Sequence, residues 1–225
     1  MPESKKINWT NHLIELLIVI IGISVAFWLN NLATESREKE LEASFIFDLK
    51  TDLRKDSIRL ETIISQNEAK IETLMKGLNL IQSDSRHQYS DSLWDDHLSQ
   101  IGNYNFFSPD NLTLMSLLQS GDIKMIRSND LKKELLRLLR IYDDIESRQA
   151  NFLQALDDNY FPMILGKRDM ISGEVLDPDF FYSIRIKNYA AFTLNDTSQH
   201  IQQYKYALKQ IVKLLDLMNE YKIED

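Results

Sequence analysis

Three aspartates are the first residues whose spacing could support chemistry, because Asp48, Asp52 and Asp56 recur at four-residue intervals. On a helix this spacing places the carboxylates on one face, where an acidic row could hold a divalent cation. Basic residues are interleaved with them: Lys50, Arg54, Lys55 and Arg59. Such alternation is more typical of a salt-bridged, solvated helix face, so the sequence favours that interpretation over a metal site.

The histidines do not strengthen the case for a metal or catalytic centre. They are scattered, and no two of them form an H-x-x-x-H or HExxH pair: His12, His87, His97 and His200. The six glycines never form a phosphate-binding or nucleophile-elbow motif, and there is no cysteine. We therefore expect no metal, no cofactor and no enzymatic activity. The net charge of -8 and the pI near 5.1 give no basic surface, so nucleic acid is not an expected partner.

One apolar stretch organises the chain. Residues 13–29 read LIELLIVIIGISVAFWL, and their only polar side chains are Glu15 and Ser24. Trp9 and Trp28 flank the run at about 28 Å on a helix, close to the ~30 Å thickness of the hydrocarbon core. We predict a transmembrane helix over residues 13–33, with both tryptophans at the membrane interfaces and the lipid bilayer as a partner.

A cleaved signal peptide is the main alternative, because Lys5 and Lys6 precede the apolar run. The residues after the run lack a pair of small side chains suited to cleavage, so an uncleaved anchor is favoured. Basic residues nearly balance across the span, with Arg37 and Lys39 on the far side. A short tail with two lysines usually stays in the cytoplasm. We expect a single-pass protein of the inner (cytoplasmic) membrane, with residues 1–12 cytoplasmic and the C-terminal domain periplasmic.

Glu15 is the one ionisable side chain within the span, where an acid is costly unless it is paired, protonated or able to reach the headgroups. It could reach the headgroups or pair with His12, one turn earlier. It also shares a helical face with small and polar residues, which favours contact with another membrane helix. That predicted interaction face consists of Asn11, Glu15, Val19, Gly22, Ala26 and Asn30. Its partner would be a second copy of the chain or a different membrane protein.

The rest of the chain reads as helical, because glycine and proline are scarce and apolar residues recur every three or four positions. We predict an all-α fold in which the membrane helix continues into a long helix over about residues 35–82. Further helices are predicted over about 109–120, 129–160 and 196–222, the last packed antiparallel on its predecessor. The first of these is expected to be capped by Ser108 and closed by Gly121. Together they form an irregular antiparallel helical bundle domain over residues 35–225.

Three details of the sequence refine the predicted helices. Asp56 and Lys70 fall on heptad core positions of the long helix, which argues for one helix of a bundle rather than a coiled coil. Gln149 fills a gap in the apolar stripe of the helix over 129–160. Pro162 is expected to end that helix, since proline disfavours helical geometry in the preceding residue.

The opening NWTNHLIELLIVIIGISVAFWLNN, residues 8–31, resembles that of a Bacteroidetes family of small membrane-anchored helical proteins. The stretch LLQSGDIKMIRSNDLKKELLRLLRIYDD, residues 117–144, is similar to the same family's soluble part. The family carries only a domain-of-unknown-function label. The resemblance implies an inner-membrane anchor and a bacterial source, and it transfers no catalytic residue.

Two functions fit these observations. The first is a membrane-anchored, non-enzymatic helical module that binds a partner or ligand outside the membrane. The second is a subunit of a homo-oligomeric ion channel or transport complex, with polar transmembrane residues near the pore. Ser24 lies well off the face that Glu15 and Asn30 share, which weakens a continuous pore lining.

Overall fold

The computed structural model describes residues 9–82, 96–169, 171–172 and 174–221, with side chains from residue 13 onward. Most of the predicted tail 1–12 and residues 83–95, with His87, therefore lie outside the described residues. Within them, the chain consists of helices and turns, and extended pairing is limited to isolated bridges of Arg168 with Leu165 and Val175. The all-α prediction is confirmed.

The first helix, α1, runs without a break over Trp9–Gln82. Its residues 13–37 are exposed, whereas positions three or four apart are buried from Glu42 onward. The predicted continuation of the apolar helix into a long helix is therefore confirmed. Gly77 allows a neighbouring segment to approach, since a Cβ there would lie 2.7 Å from the Cβ of His97.

Other helices among the described residues are α2 (Leu112–Ser120), α3 (Asn129–Ala155), α4 (Phe161–Ile164), α5 (Pro178–Phe181) and α6 (Ile184–Glu220). A π-helical turn over Leu156–Tyr160 joins α3 to α4, and 3-10 turns cover Leu98–Ile101 and Asp122–Met125. Residues 103–111, which we call the strap, are described but belong to no helix or strand.

Side-chain contacts give the directions of the three long helices. Tyr142 of α3 donates to Asp56 of α1 at 2.7 Å, and Lys70, farther along α1, lies 5.5 Å from the ring centroid of Phe152 on α3, so these helices run in the same direction. The start of α1's buried region meets the end of α6, where Tyr221 donates to Glu42 at 2.6 Å. The helix α6 therefore runs opposite to both, which agrees with its predicted antiparallel packing on α3.

Two apolar clusters fill the space between these helices. The first includes Leu60, Leu135 and Ile211, and the second includes Leu74 and Phe181. Buried polar side chains from each long helix lie at the level between the clusters, among them Lys70, Gln149 and His200. This polar layer is the feature of the fold that bears most directly on function.

The short helix begins later than predicted. We expected it over residues 109–120, with Ser108 as its cap, but α2 covers Leu112–Ser120. The preceding backbone is held by α1: Asp110 N–H donates to Asp56 at 2.8 Å, and the Ser108 carbonyl accepts from Arg59. These bonds hold the strap against α1. The predicted end is right, because Gly121 adopts φ 78°, a conformation that favours glycine.

Pro162 does not end the helical path as predicted. The ring of a proline would clash with the carbonyl four residues earlier, and proline has no N–H to donate. The helix widens ahead of it instead, and the Phe161 N–H bonds to the Leu156 carbonyl, five residues back. The chain then makes the single α-helical turn α4 before Leu165.

The last helix starts at Ile184, twelve residues before the predicted start at 196. Ser183 caps it through a bond from the Ile186 N–H. The added turns are buried through Ile186, Ala190 and Thr193. Of these three, only Ile186 is large and apolar, and the small or polar side chains of the other two hid the periodicity that a search for apolar stripes detects.

Candidate functional site

The acidic row of α1 is not the solvated face that the sequence favoured. Asp48 is exposed, but Asp56 is only 1% exposed and accepts from the Asp110 N–H and the Tyr142 hydroxyl, at 2.8 and 2.7 Å. Burial raises the pKa of Asp56, and it raises that of Tyr142 as well. Asp52 accepts from Thr113 at 2.5 Å. The row joins α1 to the strap and its neighbours, and the described residues contain no group of three or more potential metal ligands.

Gln149 has a similar structural role on α3. Its side-chain amide accepts from the Phe107 N–H and donates to the Phe107 carbonyl, both at 2.9 Å, as a neighbouring β-strand would. The Tyr204 hydroxyl donates to the same amide oxygen at 2.6 Å. Gln149 interrupts the apolar stripe of α3 because its buried side chain holds the strap by hydrogen bonds.

Lys70 extends the polar layer from the α1 side. Its side chain is 4% exposed, its Nζ donates to the Asn103 carbonyl of the strap, and burial lowers its pKa to about 8. The ammonium also lies 5.5 Å from the ring centroid of Phe152, a cation–π contact. The negative charge of Asp196 on α6 opposes this fall in pKa.

Asp196 is the centre of a charged cluster on the α3–α6 side of the polar layer. Its Oδ2 lies 3.0 Å from His200 Nδ1, without alignment as a hydrogen bond, and its Oδ1 lies 3.9 Å from Arg148 Nη1. The Arg148 Nη1 group donates to Gln199 at 2.6 Å. His200 is itself buried, and its ring stacks on Tyr204 with a centroid separation of 5.8 Å.

Several polar atoms of this cluster are buried but have no hydrogen-bond partner within the described residues. They are Arg148 Nε, Thr193 Oγ1, Asp196 Oδ2, His200 Nε2 and Gln203 Oε1. An unpaired buried polar group costs about 1–3 kcal/mol, so a concentration of them at one place is unusual for a purely structural core. They mark the α3–α6 seam as the candidate site.

A groove of about 550 Å³ opens at this seam, and we call it the polar groove. Arg148, Asp196 and Gln203 line it together with two phenylalanines, Phe152 and Phe192, whose rings stack at 5.8 Å and 18°. The groove continues past the π-helical turn. A cavity of about 380 Å³ shares lining residues with the groove, and a further cavity of about 780 Å³ shares lining residues with that cavity. Such π turns are frequent at functional sites.

The predicted membrane face lies far along α1 from this groove. Glu15, Val19, Gly22, Ala26 and Asn30 are all exposed on the part of α1 that precedes its first buried residue. A Cβ at Gly22 would meet nothing within 4 Å. Trp28, the predicted membrane-interface anchor, is exposed on the same part of the helix.

The other two predicted membrane residues, Asn11 and Trp9, belong to α1, but their side chains are not described. The whole apolar window of α1 is unburied, and α1 is long and apolar enough to cross a membrane.

No family model, curated protein or solved structure matches this chain. The family resemblance stays an expectation, and function rests on the site. This site could not be predicted from the sequence because its residues carry no motif spacing: Arg148 and Asp196 come from different helices. The one sequence signal was a set of polar residues in apolar stripes, as at Gln149, Thr193 and Thr197.

Proposed function

We propose that this chain is a membrane-anchored, non-enzymatic helical module that binds a ligand or partner outside the bilayer, and that the polar groove is its binding site. The observation that carries the proposal is the set of buried, unpaired polar atoms at the α3–α6 seam, beside an open groove. The groove is concave and combines polar groups with aromatic walls, as small-molecule sites do. A small ligand is therefore favoured over a protein partner.

The proposed membrane part is the exposed apolar segment of α1. We propose a single pass through the inner membrane, with the N-terminal tail cytoplasmic and the helical domain periplasmic. A helix with this much exposed apolar surface is stable in lipid, whereas in water it would aggregate. A C-terminal reporter that is active only outside the cytoplasm tests the orientation, and activity of a cytoplasm-only reporter at that position reverses it.

We also propose that the face formed by Asn11, Glu15, Val19, Gly22, Ala26 and Asn30 contacts another membrane helix. The contact is to a second copy of the chain or to a different membrane protein. Gly22 and Ala26 are exposed and four residues apart, so two backbones can approach closely along this face. The uninterrupted α1 would then transmit the spacing of the membrane helices to the domains beyond the bilayer.

Ligand binding in the groove is tested with the full-length protein in lipid nanodiscs. Its melting temperature is measured with pooled sugars, dicarboxylates, nucleotides, amines, amino acids or fatty acids. Ala155→Trp fills the groove, because Ala155 lines two of its cavities, and Gln154→Trp is the matched control on the exposed face. We expect at least one class to raise the melting temperature of the wild type and Gln154→Trp, but not of Ala155→Trp. No stabilisation by any class, or stabilisation that persists in Ala155→Trp, would overturn the proposal.

A further inference from the structure

The polar groove offers a donor beside acceptors that make no hydrogen bond. Arg148 Nε can only donate. Gln203 Oε1 can only accept, and so can Asp196 Oδ2 when its carboxyl group is ionised. All three atoms are buried and lack a hydrogen-bond partner within the described residues, although Asp196 Oδ2 lies 3.0 Å from His200 Nδ1. A ligand that satisfies them must present an acceptor to Arg148 and donors to Asp196 and Gln203.

The charges of the groove select further among such ligands. A ligand with only a carboxylate would suit Arg148 but would meet Asp196 and Asp144, which line the same groove. A ligand with only an ammonium group would suit Asp196 but would meet the permanent charge of Arg148. Arg148 Nη1 and Asp196 Oδ1 are 3.9 Å apart, so the ligand's two opposite charges must also be close together.

The walls and the continuation of the groove are suited to an apolar group. Phe152 and Phe192 form a stacked aromatic wall beside the charged groups. The adjoining cavity of about 380 Å³ is reached past Phe192 and Ala155, and Tyr189 lies on its far side. A side chain attached near the ligand's charged groups would extend along this wall into that cavity.

We propose that the polar groove binds a small zwitterionic amino compound with an apolar side chain, of which an α-amino acid is the simplest example. The ligand carboxylate bonds to Arg148, its ammonium group bonds to Asp196 and Gln203, and its side chain packs on Phe192. This inference rests on the proposed function of the groove and adds the chemical class of the ligand.

Three probes of one size test this class on the full-length protein in lipid nanodiscs by isothermal titration calorimetry. L-phenylalanine carries both charges, phenethylamine lacks the carboxylate, and 3-phenylpropanoate lacks the ammonium group. We expect L-phenylalanine to bind at least about tenfold more tightly than either analogue, because each analogue leaves either Arg148 Nε or Asp196 Oδ2 without a hydrogen bond in the complex.

Paired substitutions assign each charge of the ligand to its residue. Arg148→Gln should reduce the affinity for L-phenylalanine to about that for phenethylamine, while the affinity for phenethylamine changes little. Asp196→Asn should reduce the affinity for L-phenylalanine to about that for 3-phenylpropanoate, while the affinity for 3-phenylpropanoate changes little. The controls are Arg140→Gln on α3 and Asp216→Asn on α6, which replace exposed residues of the same types. Melting temperatures establish that each variant is folded.

The wild-type comparison decides the inference even if a variant fails to fold. No binding of L-phenylalanine, or equal binding of all three probes, overturns the zwitterion assignment. If another class of compound stabilises the wild type but not Ala155→Trp, the groove remains a binding site and only the assigned class is wrong. If nothing binds in the groove, both proposals fail.

Discussion

The strap contacts and the polar groove are both buried polar regions of the same helical domain, but they differ in how their hydrogen bonds are satisfied. At the strap, Asp56 and Gln149 bond to backbone groups and tyrosine hydroxyls at 2.6–2.9 Å. At the groove, Arg148, Asp196 and Gln203 each keep a buried atom without a hydrogen-bond partner among the described residues. The two regions lie close together, since Gln149 directly follows Arg148 on α3.

Under the proposed function, the difference separates polar groups that hold the fold from polar groups that would bind a ligand. A satisfied buried network fixes one arrangement of the chain, because each alternative arrangement leaves groups unpaired. An incompletely satisfied network reduces stability and is retained where it serves binding. Substitutions at the strap should therefore lower stability, whereas substitutions at the groove should mainly alter affinity.

The largest loss of stability is expected for Gln149→Leu. It leaves the Phe107 N–H, the Phe107 carbonyl and the Tyr204 hydroxyl unpaired in the core, at about 1–3 kcal/mol each. We expect the free energy of unfolding to fall by about 3–5 kcal/mol in urea titrations followed by circular dichroism. Gln154→Leu, on the exposed side of α3, should change it by less than about 0.5 kcal/mol. Equal effects would mean that the strap is not held by Gln149.

The next largest loss of stability is expected for Asp56→Ala. Its free energy of unfolding should fall by about 2–4 kcal/mol at pH 7, because the Asp110 N–H and the Tyr142 hydroxyl lose their acceptor. Asp48→Ala, two turns earlier and exposed, is the matched control and should be close to neutral.

The pH dependence tests the same residue independently. Burial raises the folded-state pKa of Asp56 above the ordinary value of 3.8, so its protonation stabilises the fold. That contribution is complete below the unfolded pKa and is lost as pH rises through the folded pKa. The stability difference between wild type and Asp56→Ala should therefore widen as pH falls from 7 towards 4. A constant difference would contradict a buried, raised-pKa carboxylate.

Lys70 lies where the strap contacts meet the polar groove. Replacing it is expected to change the free energy of unfolding by less than the two preceding substitutions do, and by an amount that depends on pH. Burial lowers its pKa from 10.5 to about 8 in the folded state. Between about pH 8 and 10.5 the unfolded chain therefore binds more protons, so stability rises with pH. Relative to Lys70→Met, the wild type should gain about 1–3 kcal/mol over this window in urea titrations. Lys76→Met, at an exposed lysine of α1, should show no such gain.

The smallest effect is expected on the membrane face of α1, which differs from both polar regions because its proposed partner is another helix. Gly22→Leu blocks close backbone approach, and Glu15→Leu removes the polar group. Each should weaken association by about 0.5–2 kcal/mol, measured by crosslinking or native mass spectrometry of the full-length protein. Ile20→Leu, on another face of the helix, should leave the association unchanged. Unchanged assembly in both variants would remove this face from recognition.

Much of the fold could be predicted from spacing alone. The apolar run and the absence of helix breakers after it predicted one continuous helix, and Gly121 correctly marked the end of α2. The misplaced elements involve side chains whose partners are distant in sequence. The strap is held against α1 because Asp56 and Arg59, about fifty residues earlier, bond to its backbone.

The candidate site was beyond sequence reasoning for the same reason. Arg148 and Asp196 are 48 positions apart, and nothing in their local pattern indicates that their charged groups come within 3.9 Å. The acidic row was found by its spacing but was assigned to solvent. On a helix, spacing identifies the residues that share a face, while burial depends on what packs against that face.

By itself, the sequence determined that this chain is helical, that residues 13–29 form an apolar helical segment, and that the apolar stripes of the later helices must face one another. These properties follow from local periodicity and composition, which do not depend on distant residues. The tertiary structure alone decided which polar side chains are buried, which of them are satisfied by the strap, and which remain unpaired at the polar groove. Those outcomes depend on the relative positions of α1, α3 and α6, because a hydrogen bond requires two groups within about 3 Å and in the correct orientation.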